Sequence, residues 1–378
     1  PAFDDWQFAL QNQLCVAPSE MGVELAKVAK ALSEQAGVAV APELQSAVAQ
    51  VQVDDAALAI AQSLASGRRV AVWIGNHAVQ HQSGVALHAL ANEVARLCGG
   101  RFGVLGEAAN SVGGYIAGAV PFGAVSGKNK AEMLSAPLKA YVLLGLEPEL
   151  DLAEGAKARN AFGAAEMVVM LTPFKVDAAL EYADVMLPVS PFTETGGTFV
   201  NCEGRAQSFH PVVKNAGDSR PAWKVLRVLG EALGLADFAF ESVDAVRAKV
   251  LGAEGVVAPN RLNNAVAIDS LNMQGASQGL QRVADVPIHF ADPLVRRSAP
   301  LQATKDSVAP LARMNASTLK ALGLGGGDRV VVRSAAGQAT VNVIEDDGVA
   351  AGCVRLAGAH ASTVGLGSLG GEVSVERI

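Results

Sequence analysis

Two carboxylates and a guanidinium, Glu194, Glu203 and Arg205, lie close together on a turn hinged by Gly196-Gly197, within LPVSPFTETGGTFVNCEGRAQ at 187–207. Side chains so placed could clamp a ligand, or could brace the turn by bidentate pairing; bracing is the expectation. Asn201 and Cys202 stand in the same stretch. Cys202 is either a small buried filler or an exposed thiol, and its neighbour Glu203 does not favour the thiolate. Asn76 follows a strand ending in Gly75, and Asn110 sits in the Gly-rich loop EAANSVGGYIAG at 107–118. A strand–turn–helix unit can present backbone amides to a phosphate. Asn76, Asn110, Glu194, Asn201 and Arg205 are therefore the candidate cofactor-binding residues, although Gly75-Asn76-His77 does not fit a GxGxxG fingerprint. His77, His81 and His88 have no acidic or cysteine residue beside them to complete a metal site and read as hydrogen-bonded or solvated scaffold. No residue is singled out as catalytic or as a metal ligand.

The elements that hold these residues follow from apolar runs. Strands are expected over 68–75, 101–106, 139–145, 167–171 and 184–187, with helical patterns between them, such as 82–98. Strands alternating with helices imply a doubly wound, mostly parallel sheet, in which ligands bind beyond the carboxyl ends of the strands. Residues 1–66 carry apolar residues at helical spacing (Leu25, Val28, Ala29, Leu32) and form a helical cover. The α/β domain spans 67–252, with Trp223, Leu226, Leu229 and Leu233 on one stripe of a helix over 221–234. An irregular wrapping or linker segment occupies 253–309. Residues 310–378 turn from a capped helix through a glycine run into a hairpin and further short strands, a small β-barrel of about six strands. The fold class is thus α/β with a smaller carboxyl-terminal β-barrel.

Composition narrows the function. Hydrophobic residues make up 50% of the chain and aromatics 5%, the Ala/Val/Leu filling of helix-covered parallel sheets. A net charge of −7 without basic clusters argues against a nucleic-acid binder. The uncharged run 108–127 is broken by glycines, Pro121 and Asn110, so no direct membrane span is expected. Four cysteines scattered singly suit a reducing compartment. A chain that begins at Pro1 without an initiator Met reads as a piece of a longer protein.

ADVMLP (183–188), TETGGTFVNCEGRAQ (193–207) and SRPAWKVLRVLGEALGL (219–235) resemble the molybdopterin-type oxidoreductases. Within them the wording is similar to one branch, the G-type subunits of bacterial NADH:quinone oxidoreductase, respiratory complex I. Gly75-Asn76, AANSVGG (108–114), LLGLEPE (143–149) and GDRVVV (327–332) fall in that family's order, so the resemblance covers most of the chain. It implies a fold in which cofactor-bearing members hold a pterin dinucleotide of molybdenum or tungsten between sheet and barrel. The G-type subunits look like that fold with the metal cofactor abandoned, behind a ferredoxin-like region holding iron-sulfur clusters. No CxxC occurs here, so the chain resembles the carboxyl-terminal part, and the clusters are expected in the missing amino-terminal part. The implied function is a scaffold supporting electron transfer from NADH to quinone in a proton-translocating enzyme, without an active site of its own. Its partners would be other subunits of NADH:quinone oxidoreductase, and its place the cytoplasmic face of the bacterial inner membrane. The alternative is the cofactor-binding half of a molybdopterin-dependent oxidoreductase. A free-standing NAD-dependent dehydrogenase lacks its fingerprint. A mean hydropathy of +0.28 without a membrane span predicts large exposed apolar patches, and the isolated chain is expected to bind no iron, molybdenum or tungsten.

Overall fold

A computed structural model describes residues 1–3, 6–121, 127–257, 259, 263–264, 266, 277 and 279–378. Five short apolar strands alternate with helices, β1 (Ala71–Ile74), β2 (Arg101–Val104), β3 (Ala140–Leu144), β4 (Met167–Thr172) and β5 (Val185–Pro188). All their pairings are parallel, as largely apolar runs separated by helices require. A hairpin follows, β6 (Gly197–Val200) against β7 (Ala206–Phe209). Then β8 (Leu280–Val283), β9 (Ala312–Met314), β10 (Arg329–Arg333), β11 (Gln338–Glu345), β12 (Cys353–Arg355) and β13 (Gly370–Arg377) close into a barrel of order β10-β11-β9-β12-β8-β13. The chain is α/β with a closed β-barrel.

The parallel strands fall into two sheets because the chain packs as two compact units. Unit 1 comprises Pro1–Leu105, Asn264–Phe290 and Ala303–Ile378; unit 2 comprises Gly106–Asn263 and Ala291–Gln302. In unit 1 the helices Met21–Ala36, Asp55–Ala65 and Gly84–Leu97 bury Ala26, Ala29, Leu32, Ala57, Ala61 and Leu90 against one another. Alanine at the contacts lets the helix axes approach closely. Asp54 caps the second of these helices by accepting from Ala57 N at 2.9 Å, and Gly37 ends the first in the left-handed region at φ 64°. The barrel interior is filled by Met314, Val330, Val332, Val354, Leu356 and Leu366. Its strand β8 emerges from the stretch expected to be irregular, of which residues 258, 260–262, 265, 267–276 and 278 lie outside the described residues.

In unit 2, β4 lies between β3 and β5. Alternate residues on one face, Tyr141, Leu143, Val168 and Met170, pack under Ala158, Phe162 and Tyr182. On the other face, Leu171 at the centre is fully buried and Val169 half-buried, while Val142 is 50% exposed, Leu144 51%, Met167 44%, Val185 38% and Leu187 37%. The helix Ala222–Ala232 is amphipathic as expected, but Leu233 at its end is 64% exposed rather than part of a buried stripe, since the chain turns there at Gly234.

Candidate functional site

The hairpin turn is organised by Asn201. Its Oδ1 accepts from Glu203 N at 3.0 Å and Arg205 N at 2.9 Å, and its own N–H donates to Arg205 O at 3.1 Å. A short amide side chain that satisfies two turn N–H groups fixes the chain reversal without a ligand. Arg205 is exposed and pairs with neither Glu194 nor Glu203 among the described residues, so the bidentate brace is not the one formed. Glu194 instead accepts from Ala216 N at 3.0 Å and Ser219 Oγ at 3.3 Å, bracing the loop after the hairpin. Cys202 is exposed, which decides between its two readings.

Asn110 belongs to the same neighbourhood. Its Oδ1 accepts from Val200 N at 2.8 Å and ties the Gly-rich loop to β6. A Cβ at Gly113 would lie 2.0 Å from that oxygen, which is the steric reason for glycine there. The structure thus gathers Asn110, Glu194, Asn201 and Arg205 around one hairpin in unit 2, while Asn76 stands apart in unit 1, exposed at the start of the short helix Asn76–Val79.

The histidines are engaged separately. His81 Nδ1 accepts from Ser83 N at 3.0 Å, and burial lowers its pKa. His88 Nε2 donates to Asn264 O at 2.7 Å and meets the Phe102 ring edge-on. Among the described residues no three His, Cys, Asp or Glu side chains gather in a metal-binding group.

Two hollows were not legible in the sequence. In unit 1, one of about 70 Å³ is bounded by His77, His81, Gln281, Arg282, Ser368 and Glu372. Arg282 is 1% exposed, and its guanidinium donates to the carbonyls of Leu356 (3.2 Å), Ser368 (2.7 Å), Gly367 (3.3 Å) and Ala357 (3.4 Å). Burial pulls its pKa down to about 10, because desolvation penalises the cation. In unit 2, a cavity of about 250 Å³ lies between the Gly-rich loop, β6 and the helices Ala222–Ala232 and Val243–Leu251. Trp223 borders it, with an indole N–H that is buried without an acceptor among the described residues.

An ion-pair cluster within unit 2 also escaped the sequence reading. Glu147, 4% exposed, meets Arg297 at 2.6 Å and Arg296 at 3.1 Å; Arg296 also reaches Asp151 at 2.8 Å. Arg297 stacks over Phe174 at 4.5 Å. The signal available was the acidic run Glu147, Glu149, Asp151 at the end of a strand, a place where carboxylates need cationic partners if buried.

Neither hollow suits a pterin dinucleotide. That group carries a doubly charged pyrophosphate and two ring systems edged with donors and acceptors. In the first hollow Arg282 spends its donors on carbonyls and Glu372 sits on the same wall, opposing an anion. In the second the walls are mainly valine and glycine, and Arg247 is held by Asp244 at 3.1 Å and Ser208 at 2.9 Å. Polar ring edges there would go unpaired at about 1–3 kcal/mol each.

Comparison with known proteins places these features in context. The sequence profile described as "Molybdopterin oxidoreductase" matches residues 29–232, and that described as "Molydopterin dinucleotide binding domain" matches 296–374. The chain is 37% identical over 142 residues to "NADH dehydrogenase [ubiquinone] iron-sulfur protein 1, mitochondrial" of Solanum tuberosum, covering 34% of this chain and 18% of the relative. It is 36% identical over 92 residues to "NADPH-Fe(3+) oxidoreductase subunit alpha" of Geobacter sulfurreducens, covering 24% and 11%. These matches span less than a fifth of either relative. The fold is shared with acetylene hydratase from Pelobacter acetylenicus at a TM-score of 0.63 and 12% identity, over 95% of this chain and 70% of that one.

Proposed function

The chain belongs to the molybdopterin oxidoreductase family, and from that premise we propose that it is a scaffold portion of an NADH:quinone oxidoreductase subunit of the G type. In this role it supports electron transfer from NADH to quinone in a proton-translocating enzyme and carries no active site of its own. The observation that carries the reading is the partly open face of the β3–β4–β5 sheet, where only the central Leu171 is fully buried. Parallel sheets are stable with both faces covered, yet Val142, Leu144, Met167, Val185 and Leu187 remain open on one side. Such a face is suited to burial against neighbouring subunits, whose association would be driven by the apolar area removed from water.

Among the described residues no helix is long and apolar enough to cross a membrane. In the proposed role the chain is peripheral, on the cytoplasmic face of the bacterial inner membrane, and the iron-sulfur clusters belong to the part of the subunit that precedes it. Asn76, Asn110, Glu194, Asn201 and Arg205 are then framework rather than cofactor ligands. The hydrogen bonds of Asn110, Glu194 and Asn201 to backbone groups support this.

The test is sedimentation of the purified chain, alone and with the peripheral subunits of the enzyme, alongside the variant Leu144→Lys/Val185→Lys. Self-association or binding by the unsubstituted chain, lost in the variant, is expected. A monomer indifferent to both partner and substitution would remove the reading. A second reading, the cofactor-binding half of a molybdopterin-dependent oxidoreductase, is favoured by the matches to both molybdopterin profiles. Near-stoichiometric molybdenum or tungsten in protein from cells supplied with molybdate or tungstate would establish it over the first.

A further inference from the structure

We propose that Cys15 and Cys353 form a site of thiol oxidation, closing into a disulfide that joins the segment before the first helix to the barrel. The two residues are far apart in sequence, and both belong to unit 1. Cys353 on β12 is at 0% exposure in a small apolar cluster with Ala17, Val283, Val349 and Ala350, and Cys15 packs against that cluster. The chain is anchored on either side of Cys15. Before it, Phe3 N donates to Gly348 O at 2.7 Å and Ala350 N to Pro1 O at 3.0 Å. After it, Ser19 N donates to Gln281 Oε1 at 3.0 Å and Gln281 Nε2 to Ser19 Oγ at 2.9 Å. Gln281 is the partner of Cys353 in the β8–β12 pairing, and 348–350 lead directly into Cys353. Both anchors therefore adjoin Cys353, and Cys15 Sγ itself donates to Gly348 O at 3.6 Å.

The other thiols are placed differently. Cys202 is exposed on the hairpin of unit 2, and Cys98 packs against the helical cluster of unit 1. A disulfide requires Cα atoms no more than about 7 Å apart. Among the described residues no hydrogen bond holds the backbone of Cys15 or Val16, and an S–H···O contact is weak, so this short stretch is free to adjust toward Cys353. The oxidant is a small disulfide such as glutathione disulfide. The Cys15 thiolate attacks one of its sulfurs, releasing one glutathione thiol and leaving a mixed disulfide. Cys353 then gives its proton to water and attacks the Cys15 sulfur, releasing the second glutathione thiol. Two protein thiols are oxidised, and one disulfide is reduced to two thiols. Burial raises the pKa of both cysteines, that of Cys353 to about 12, where the neighbouring Cys15 sulfur adds to the shift. Thiolate is scarce, so closure is slow. A thiol of high pKa is also a poor leaving group, so the bond once formed resists reduction. Being uncharged, the disulfide suits the apolar cluster better than either thiolate does.

The test is incubation of the reduced, native chain with glutathione disulfide in mildly alkaline buffer, then alkylation in denaturant and peptide mapping by mass spectrometry. A linked pair of peptides carrying Cys15 and Cys353 is expected, with no glutathione left on Cys15. Cys353→Ala removes the second thiol and should leave glutathione trapped on Cys15, whereas Cys202→Ser should leave the cross-link unchanged. The cross-linked chain should unfold at a higher urea concentration than the reduced chain, because the closed loop restricts the unfolded state, and Cys15→Ser should abolish that difference. Cys15 left unmodified, glutathione retained on Cys15 of the unsubstituted chain, a cross-link that forms only in denaturant, cross-links through Cys98 or Cys202 in place of this one, or a urea midpoint no higher than that of the reduced chain would each overturn the proposal.

Discussion

In the barrel of unit 1, Met314, Val330, Val332, Val354 and Leu356 are all at 0% exposure, and each strand is paired on both sides. In unit 2 the same residue types line the β3–β4–β5 sheet, but Leu144 is 51% exposed and Val142 50%. Closing a sheet on itself removes its edges and gives every inward side chain an apolar partner. An open parallel sheet needs a cover on each face, and unit 2 covers one face fully and the other only around Leu171, which is at 0% exposure. The difference separates a sheet whose inward side chains are all buried from one that leaves apolar side chains in contact with water.

Buried charge makes the same contrast. Arg282 in the barrel is neutralised by no carboxylate among the described residues and is held by carbonyl dipoles, whereas Arg296 in unit 2 lies between Glu147 and Asp151. Cutting the second arrangement has the largest expected effect. The double variant Arg296→Ala/Arg297→Ala strands Glu147 in a dry site and should cost about 3–5 kcal/mol in urea unfolding, while adding Glu147→Gln to it should recover most of that loss. A loss no larger than that of a surface pair would show that water reaches the cluster.

Next in size, Leu356→Ala should lower barrel stability by about 2–5 kcal/mol by leaving a cavity, and Leu144→Ala on the open face should cost less than about 1 kcal/mol. Chemical denaturation followed by amide exchange in each unit measures both. Equal costs would mean that the open face is already covered in solution, which would erase the contrast between the two sheets.

A smaller effect is expected from pH. Burial lowers the pKa of His81 and His360, both in unit 1. Their unfolded-state pKa is about 6.5, so between the depressed folded values and that figure the unfolded chain binds more protons. Stability conferred by keeping them neutral is therefore present above about pH 6.5 and lost as pH falls through the folded values. His81→Asn/His360→Asn should flatten the fall in the urea midpoint on the acid side. A fall of unchanged steepness would assign it to carboxylates instead.

The smallest perturbation is thiol labelling, which leaves the fold intact. Cys202 on the hairpin turn is exposed and should react with iodoacetamide in the native protein. Cys353, at 0% exposure with burial pushing its pKa up to about 12, should react only after unfolding. Native labelling of Cys353 would show the barrel opening on its own.

Much of the architecture was written in local pattern. The runs AVWI, AYVLL and MVVMLT are short, apolar and flanked by helices, and all became parallel strands. Asn315 before an apolar turn became a helix cap, accepting from Thr318 N at 2.9 Å, and the repeat of valines after Gly327 became β10. Such features depend on neighbours a few residues away, so propensity and periodicity specify them. The candidate residues Asn110 and Asn201 were visible as residue types in a glycine-rich setting, but their roles were not, because Asn110 acts on Val200, ninety positions along the chain.

The sequence by itself determined the strands, the barrel hairpin and the family to which the chain belongs. Tertiary structure alone decided that β8 joins the barrel, that Arg282 lies among four carbonyls, and that Arg296 returns to Glu147. Each of these joins residues far apart in sequence. A charged or polar side chain carries no local mark of whether folding will bury it, since that depends on which distant groups arrive to replace its water.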